Sequence, residues 1–440
     1  MKKILILIFT CLISSQALIF SQQKVWSLEE CIKYAIQNNI QIKQQVIQTE
    51  VQQNSLDLSK TQLLPTLNGE AQYSYSYGHA LSQTSYQFFS SVTSDYFYLG
   101  GTMPVFNGLQ YYNSIRKNKY LVLASQQDLQ DITDNVALNV ALAYLQILLN
   151  KELVAANENQ LNITLQQIEK TRKLVDAGSV AKGNLLEIEA QAAQEELSLI
   201  TQKNLLETSI LNLTQLLELK TPTGFEVVVP EINIDPNAII SGNIDDIYTI
   251  AEKNRPEIKS SELKLRASEY SLKMAKGGRS PVLALNYSVT SQYTSSSSDN
   301  FSTQFKTYRN EGAGLTLNIP ILNGWQVNKN ISNSKLNVET SQYNLEGTQK
   351  QLYKNIQQAY TDAVAALKKY NVSLKAIAST EESFRYTEQK FNVGMVTSVD
   401  YNASKTQLLK SQSDMAQAKY EFIFKTKVLD FYKGLPLTLN

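Results

Sequence analysis

The chain is written twice. Pro65, Pro104, Asn107-Gly108 and Gly178 recur at a constant offset of 216 positions as Pro281, Pro320, Asn323-Gly324 and Gly394. Ala35 and Asn38 match Ala251 and Asn254, and Ile42-Lys43 matches Ile258-Lys259. Proline and glycine punctuate the backbone, so a fixed offset for them from end to end dictates the same order of elements in both halves. A period this long is no solenoid; it describes two copies of one architecture. The expected organisation is a first repeat over 22–219, a linker over 220–242, a second repeat over 243–434 and a tail over 435–440.

Each copy reads helix, strand, loop, strand, long helix, turn, helix. The first helix starts at Ser27, where Glu30 completes a capping box, and runs to about Thr61 before Pro65. Its counterpart follows Asn243 and ends at Gly277-Gly278. A β-hairpin is predicted over 66–105 and another over 282–321. From Leu67 to Tyr77, apolar and small residues alternate with Asn68, Glu70, Gln72, Ser74 and Ser76. Leu283, Leu285, Tyr287 and Val289 repeat the pattern. On the return strands Phe97, Leu99, Met103, Val105 and Leu315, Leu317, Ile319, Ile321 hold one face. Period two is the signature of a strand with one apolar face. Polar loops, 78–95 and 294–311, separate the strands.

Helical hairpins are expected over 108–219 and 324–434, with tips near 178 and 394. Between Gly108 and Ala177 there is neither proline nor internal glycine, and some seventy helical residues would span about 105 Å. On the return arms Leu185, Ala192, Leu199, Leu206, Leu213 and Tyr401, Leu408, Met415, Phe422, Leu429 fall seven apart. That spacing means coiled-coil packing of long antiparallel hairpins.

The start of the chain reads as a signal peptide over 1–21, with Lys2 and Lys3 before the apolar run Ile4–Ile13. Acylation at Cys11 is disfavoured by Phe9 and Thr10 before it. No further apolar run long enough for a transmembrane helix is expected. The strands offer another way into a membrane. Each has the length and dyad pattern of a membrane strand, yet four cannot close a barrel. An open edge in hydrocarbon leaves amides unsatisfied at several kcal/mol each, so other copies must complete it. Two chains give eight strands with a filled interior, whereas three give twelve with room for a pore. Leu67, Tyr73, Tyr75, Leu99, Leu283, Leu285, Leu315 and Leu317 are then the lipid-facing positions. Tyr73, Tyr75, Tyr77, Tyr96, Tyr98, Tyr287 and Tyr293 form an interfacial girdle.

Composition excludes other classes. Lys and Arg total 41 against 40 Asp and Glu, so no basic groove for nucleic acid is expected. One histidine, His79, cannot supply a metal cluster, and no phosphate-binding loop or paired-carboxylate pocket is evident. No catalytic residue, metal or cofactor is predicted. His79 reads as an exposed loop residue and Cys31 as a buried thiol equivalent to Ile247.

Gly178 and Gly394 end long helices and read as left-handed caps. Val180 and Val396, two residues on, are expected as exposed apolar contacts. Asn184 and Asp400 are expected as N-caps of the return helices, Asn184 pairing with Glu187. The sequence Asn318-Ile319-Pro320-Ile321-Leu322-Asn323-Gly324 and the turn from Phe391 to Asp400 resemble the TolC-like outer-membrane efflux protein family. The likeness extends over essentially the whole mature chain. It implies a mixed α and β fold, a homotrimer with a shared twelve-stranded barrel in outer-membrane lipid, and an α-helical tunnel through the periplasm. It further implies a periplasmic adaptor (membrane fusion) protein as partner and, through it, an inner-membrane pump of the RND or ABC type, for efflux or type I secretion. By the same resemblance Gly178, Val180, Gly394 and Val396 mark the adaptor-contacting tip, and Asn184 and Asp400 a pore constriction. Ala403 and Val396 occupy places that are acidic and Arg in some members, so the ion-pair latch of those members is not implied. The alternatives are a periplasmic adaptor, which predicts one hairpin and a Gly-rich β-domain, or another coiled-coil structural protein, which predicts no dyad strands.

Overall fold

The computed structural model describes residues 25–81, 88–230, 234–235 and 242–438. The expected signal peptide and Cys11 lie outside them. The described residues form two compact units, one drawn from 1–44, 130–255 and 351–440, the other from 45–129 and 256–350.

In the first unit, β1 (Val25–Trp26) pairs in parallel with β4 (Glu226–Val227). Tyr144 is buried beneath this pair, its Oη within hydrogen-bond distance of the carbonyls of Trp26 (3.2 Å) and Val228 (2.6 Å). Helix α1 (Leu28–Asn38) opens with the expected capping box: the Glu30 amide donates to Ser27 Oγ (3.2 Å) and the Ser27 amide to Glu30 Oε2 (3.1 Å). It does not run on to Thr61. Asn39 turns extended and accepts from the amides of Gln41 and Ile42, starting α2 (Ile40–Thr61) afresh. The second copy breaks at the equivalent point, between α5 (Ile244–Asn254) and α6 (Pro256–Gly277). There the cause is Pro256, which disfavours helical backbone at Arg255 and suits the first helical position. Arg255 is buried between Asp131 (3.4 Å) and Asp134 (3.5 Å), with its guanidinium over the Phe431 ring. Cys31 is buried, as is its repeat counterpart Ile247.

Two helices of 67 residues, α3 (Gln110–Asp176) and α8 (Gln326–Asn392), and two shorter return helices, α4 (Lys182–Leu216) and α9 (Ser398–Lys433), make the helical hairpins. One stretch of α3 is apolar enough by composition to cross a membrane, contrary to the expectation of none. Val136, Val140, Tyr144, Ile147 and Leu148 of α3 are buried in the first unit, and 39% of the apolar stretch is buried. The heptad residues Leu185, Ala192, Leu199, Leu213, Tyr401, Phe422 and Leu429 are buried as well.

In the second unit a four-stranded antiparallel sheet has the order β2–β3–β5–β6. Its strands are β2 (Asn68–Leu81), β3 (Phe88–Phe106), β5 (Val282–Thr294) and β6 (Asn310–Asn318). The register puts Gly69 opposite Leu99, Leu99 opposite Val289, Leu285 opposite Met103 and Leu315, and Leu283 opposite Leu317. The apolar positions of all four strands therefore share one face. Three corrections follow. A bulge after Pro104, which has no N–H for the ladder, puts Phe106 opposite Leu283, so Val105 drops out of the alternation expected for it. Strand β6 stops before Pro320, leaving Ile319 and Ile321 beyond it. Tyr96 pairs with Gln72 and Gln292, and Tyr98 with Glu70 and Thr290, so both belong to the polar face rather than the girdle.

The inter-strand loops also differ from expectation. Strands β2 and β3 extend into the first, so His79 falls within β2. The second holds α7 (Phe301–Thr307), whose Phe301 and Phe305 pack on Phe97 of the apolar face. Gln304 is wholly buried and anchors α7: its side chain accepts from the Thr294 amide and donates to the carbonyls of Thr294 and Asp299. At the other end of the sheet Tyr287 Oη donates to the Thr66 carbonyl (2.5 Å). Gly101 is required there, because a Cβ would collide with that same carbonyl oxygen.

Candidate functional site: the hairpin turns and the open sheet edges

The two turns are built alike. Gly178 (φ +73°) and Gly394 (φ +78°) adopt the left-handed conformation that glycine enters without Cβ penalty. The Ser179 amide donates to the Leu174 carbonyl (2.8 Å) and the Met395 amide to that of Lys390 (2.9 Å), closing the last turn of α3 and of α8. A Cβ at either glycine would meet open space, so backbone conformation alone demands glycine.

The entries to the return helices depart from the sequence reading. Thr397, not Asp400, is the N-cap of α9; its Oγ1 accepts from the Asp400 amide (3.2 Å) and donates to Asp400 Oδ2 (2.8 Å). Asp400 sits at the third helical position, exposed, closing the capping box. Asn184 holds the same position in α4, whose N-cap is Ala181 with no side-chain bond. The two positions are thus equivalent, but neither residue is the cap. Glu187 does not pair with Asn184: its Oε2 accepts from Ser398 Oγ (2.7 Å) and ties α4 to α9.

Val180 and Val396 are half-buried rather than exposed. The apolar residues offered to solvent at the turn are Val393 (69% exposed), Met395 (77%) and Val399 (62%). They flank the glycine and cap, and a rule based only on distance from the glycine misses them. Behind them Phe391 stacks on Tyr401, with ring centroids 4.5 Å apart. Burial, reinforced by Glu388 and Glu195, pushes the Tyr401 hydroxyl up to about 12. Sequence reading also missed Glu195 and Lys405, which are buried at the α4–α9 seam. Neither lies on the heptad slots read from the sequence: Glu195 falls three residues after Ala192 and Lys405 four after Tyr401.

At the other candidate locus, β2 and β6 are the end strands of an unclosed sheet. Of the anticipated lipid-facing residues, Leu67, Tyr73, Tyr75, Leu99, Leu315 and Leu317 are exposed, while Leu283 and Leu285 on β5 are half-buried.

Comparison with known proteins converges on one group. The outer membrane efflux protein family model matches residues 31–218 and 247–424. TolC of Escherichia coli K12 is 22% identical over 411 residues, covering 90% of this chain and 80% of TolC. Among solved structures, the CmeC outer membrane channel of Campylobacter jejuni aligns with a TM-score of 0.78 at 19% identity, covering 92% of this chain and 85% of CmeC. The open-state MtrE outer membrane channel of Neisseria gonorrhoeae aligns at 0.75 with 17% identity, covering 94% of this chain and 90% of MtrE. With two segments matched and the fold shared over 93% of the chain, the chain belongs to the outer membrane efflux protein family and is a TolC-like channel protein of the outer membrane.

Proposed function

We propose that three copies of this chain close a twelve-stranded barrel and a periplasmic helical duct, and that a periplasmic adaptor opens the duct at the hairpin tips. The observation that carries this reading is the open sheet with an apolar face. Strands β2 and β6 leave edge amides and carbonyls that lipid cannot satisfy, and pairing β6 of one copy with β2 of the next satisfies those along the length the two strands share. The domain order of the two repeats, each with its hairpin tip at a left-handed glycine, suits a duct lined by both.

At the tip, the turns around Gly178, Val180, Gly394 and Val396 carry the adaptor contact, with Val393, Met395 and Val399 as its apolar surface. Three copies of Asp400, with Asn184, form an acidic constriction that favours cations. Cargo is driven by an inner-membrane pump, of the RND or ABC type, in efflux or type I secretion. The chain itself acts as a passive conduit.

The test is fractionation and bilayer recording of the full-length protein. A detergent-requiring, heat-modifiable trimer that conducts in planar bilayers is the expected result. A monomer that stays soluble without detergent would refute it. Met395→Asp should abolish capture of the adaptor while leaving trimer and conductance intact.

A further inference from the structure

Helix α7 folds back over the apolar face of the sheet instead of projecting from its end. Ser291 Oγ, buried on that face, donates to the Phe305 carbonyl (2.7 Å), and the buried Gln304 anchors the helix to Thr294 and Asp299. Phe301 packs edge-on against Phe97, tilts against Tyr293 and stacks on Phe305, with ring centroids 5.7 Å apart. The helix is thus held through its backbone and its rings. Even so, Phe301, Phe305 and Tyr308 stay exposed, spaced i, i+4 and i+7 on one stripe. An aromatic stripe with a lysine beside it, here Lys306, is the pattern of a helix lying in a membrane interface.

Between α7 and the strands lies a cavity of about 520 Å³, the size of a small-ligand cleft. The register explains it. Phe97 has Ala71 on one side and Ser291 on the other, and these small side chains leave a depression that Phe305 and Arg309 overhang. Leu99 continues the apolar lining. A void against hydrocarbon forfeits the dispersion contacts of its lining, so on a membrane surface a chain of the surrounding lipid fills such a cleft.

Charge and position select the lipid. Arg309 is exposed and paired with Glu311, whereas the exposed Lys306 has no acidic partner among the described residues. Asp95, on the same face, is one register step past Phe97 and does not line the cavity. Strands β3 and β6 lead into α3 and α8 at their far ends, so α7 marks the end of the sheet away from the long helices. In an outer-membrane channel with periplasmic helices that end lies in the outer leaflet, where the acyl chains belong to phosphorylated lipopolysaccharide. The offset of 216 carries 301–307 onto 85–91, whose described part, 88–91, is strand in β3. Among the described residues α7 therefore belongs to the second repeat alone.

We propose that α7 and the strands beneath it form a lipopolysaccharide site: one acyl chain of lipid A enters the cavity beside Phe97, and Lys306 meets a lipid A phosphate at its rim. This rests on the barrel reading above, with the apolar face toward lipid.

The test measures the lipid carried by the full-length protein purified from outer membranes in mild detergent, with lipid A and phospholipid quantified per chain by mass spectrometry. The unaltered protein should retain lipopolysaccharide through detergent washing. A71F, which fills the cavity, and K306E, which reverses the charge, should lose it while remaining trimers. A313F puts the same ring on the same face but outside the cavity, and should retain it. Lipopolysaccharide added to the delipidated trimer should raise its dissociation temperature in the unaltered protein and A313F, and not in A71F. Equal retention in all four proteins, or loss of phospholipid rather than lipopolysaccharide from A71F, would overturn the proposal. Should A71F fail to assemble, K306E, altered on an exposed side chain, faces the same two outcomes. A conducting trimer that retains no lipopolysaccharide refutes this site alone. A chain that stays soluble without detergent refutes the barrel reading and the site with it.

Discussion

Replacing Gly394 by alanine isolates the energetic demand of the hairpin turn. The residue sits at φ +78°, and an added Cβ would touch nothing within 4 Å. Sterics with neighbours are therefore absent, and only the intrinsic cost of left-handed backbone for an L-residue remains, about 1–2 kcal/mol. The amides of Gly394 and Met395, which donate to the carbonyls of Phe391 (3.0 Å) and Lys390 (2.9 Å), report on opening of this turn. A loss of that size raises the open population roughly 5–30-fold. Native-state hydrogen exchange of the tip peptide should accelerate by that factor in G394A, with exchange of the sheet unchanged. G394N should recover much of the protection, because asparagine tolerates the left-handed region. Unchanged exchange in G394A, or equal loss in G394N, would show that something other than backbone conformation keeps glycine at this turn.

Three further outcomes are expected. Asp400→Ala should raise leak or alter cation preference in bilayer recordings if three carboxylates line the constriction; unchanged currents would leave Asp400 only its place in the capping box. Leu315→Arg, on the exposed apolar face, should destabilise the barrel by about 2–4 kcal/mol in a urea titration in lipid, while Thr316→Arg on the opposite face should cost far less. Lys405 has a lowered pKa in the fold against 10.5 in the unfolded chain, so within that window the unfolded chain binds more protons. Its contribution to stability should accordingly rise with pH through the window, and the slope should vanish in K405M, measured as the difference between the two proteins' unfolding midpoints.

Much of the architecture was legible because it is encoded locally. The alternation from Leu67 to Tyr77, the heptads of the return helices and the two tip glycines each declare their backbone within a few residues. Even the break before Pro256 follows from proline chemistry, although the matching break at Asn39 has no proline and depends on the side chain capping a new helix. What escaped reading depends on distant partners. The bulge after Pro104 is defined only against β5, and α7 exists because Phe301 and Phe305 find Phe97 on another strand. At the tip, cap assignment failed by three residues because Thr397 and Asp400 are both competent, and only geometry decides between them. The burial of Lys405 depends on Thr164 and Glu195, more than two hundred positions away.

The one-sided placement of that ion pair bears on the ancestry of the chain. A gene encoding a single repeat can build a ring from six identical subunits only while every subunit contact is interchangeable. Once Glu195 and Lys405 were fixed in different halves, neither half could serve in the other's place. A ring of first halves would bury carboxylates with no ammonium to meet them, and a ring of second halves would bury ammoniums with no carboxylate. Separated halves that keep these charges would have to be present together for each charge to meet its partner.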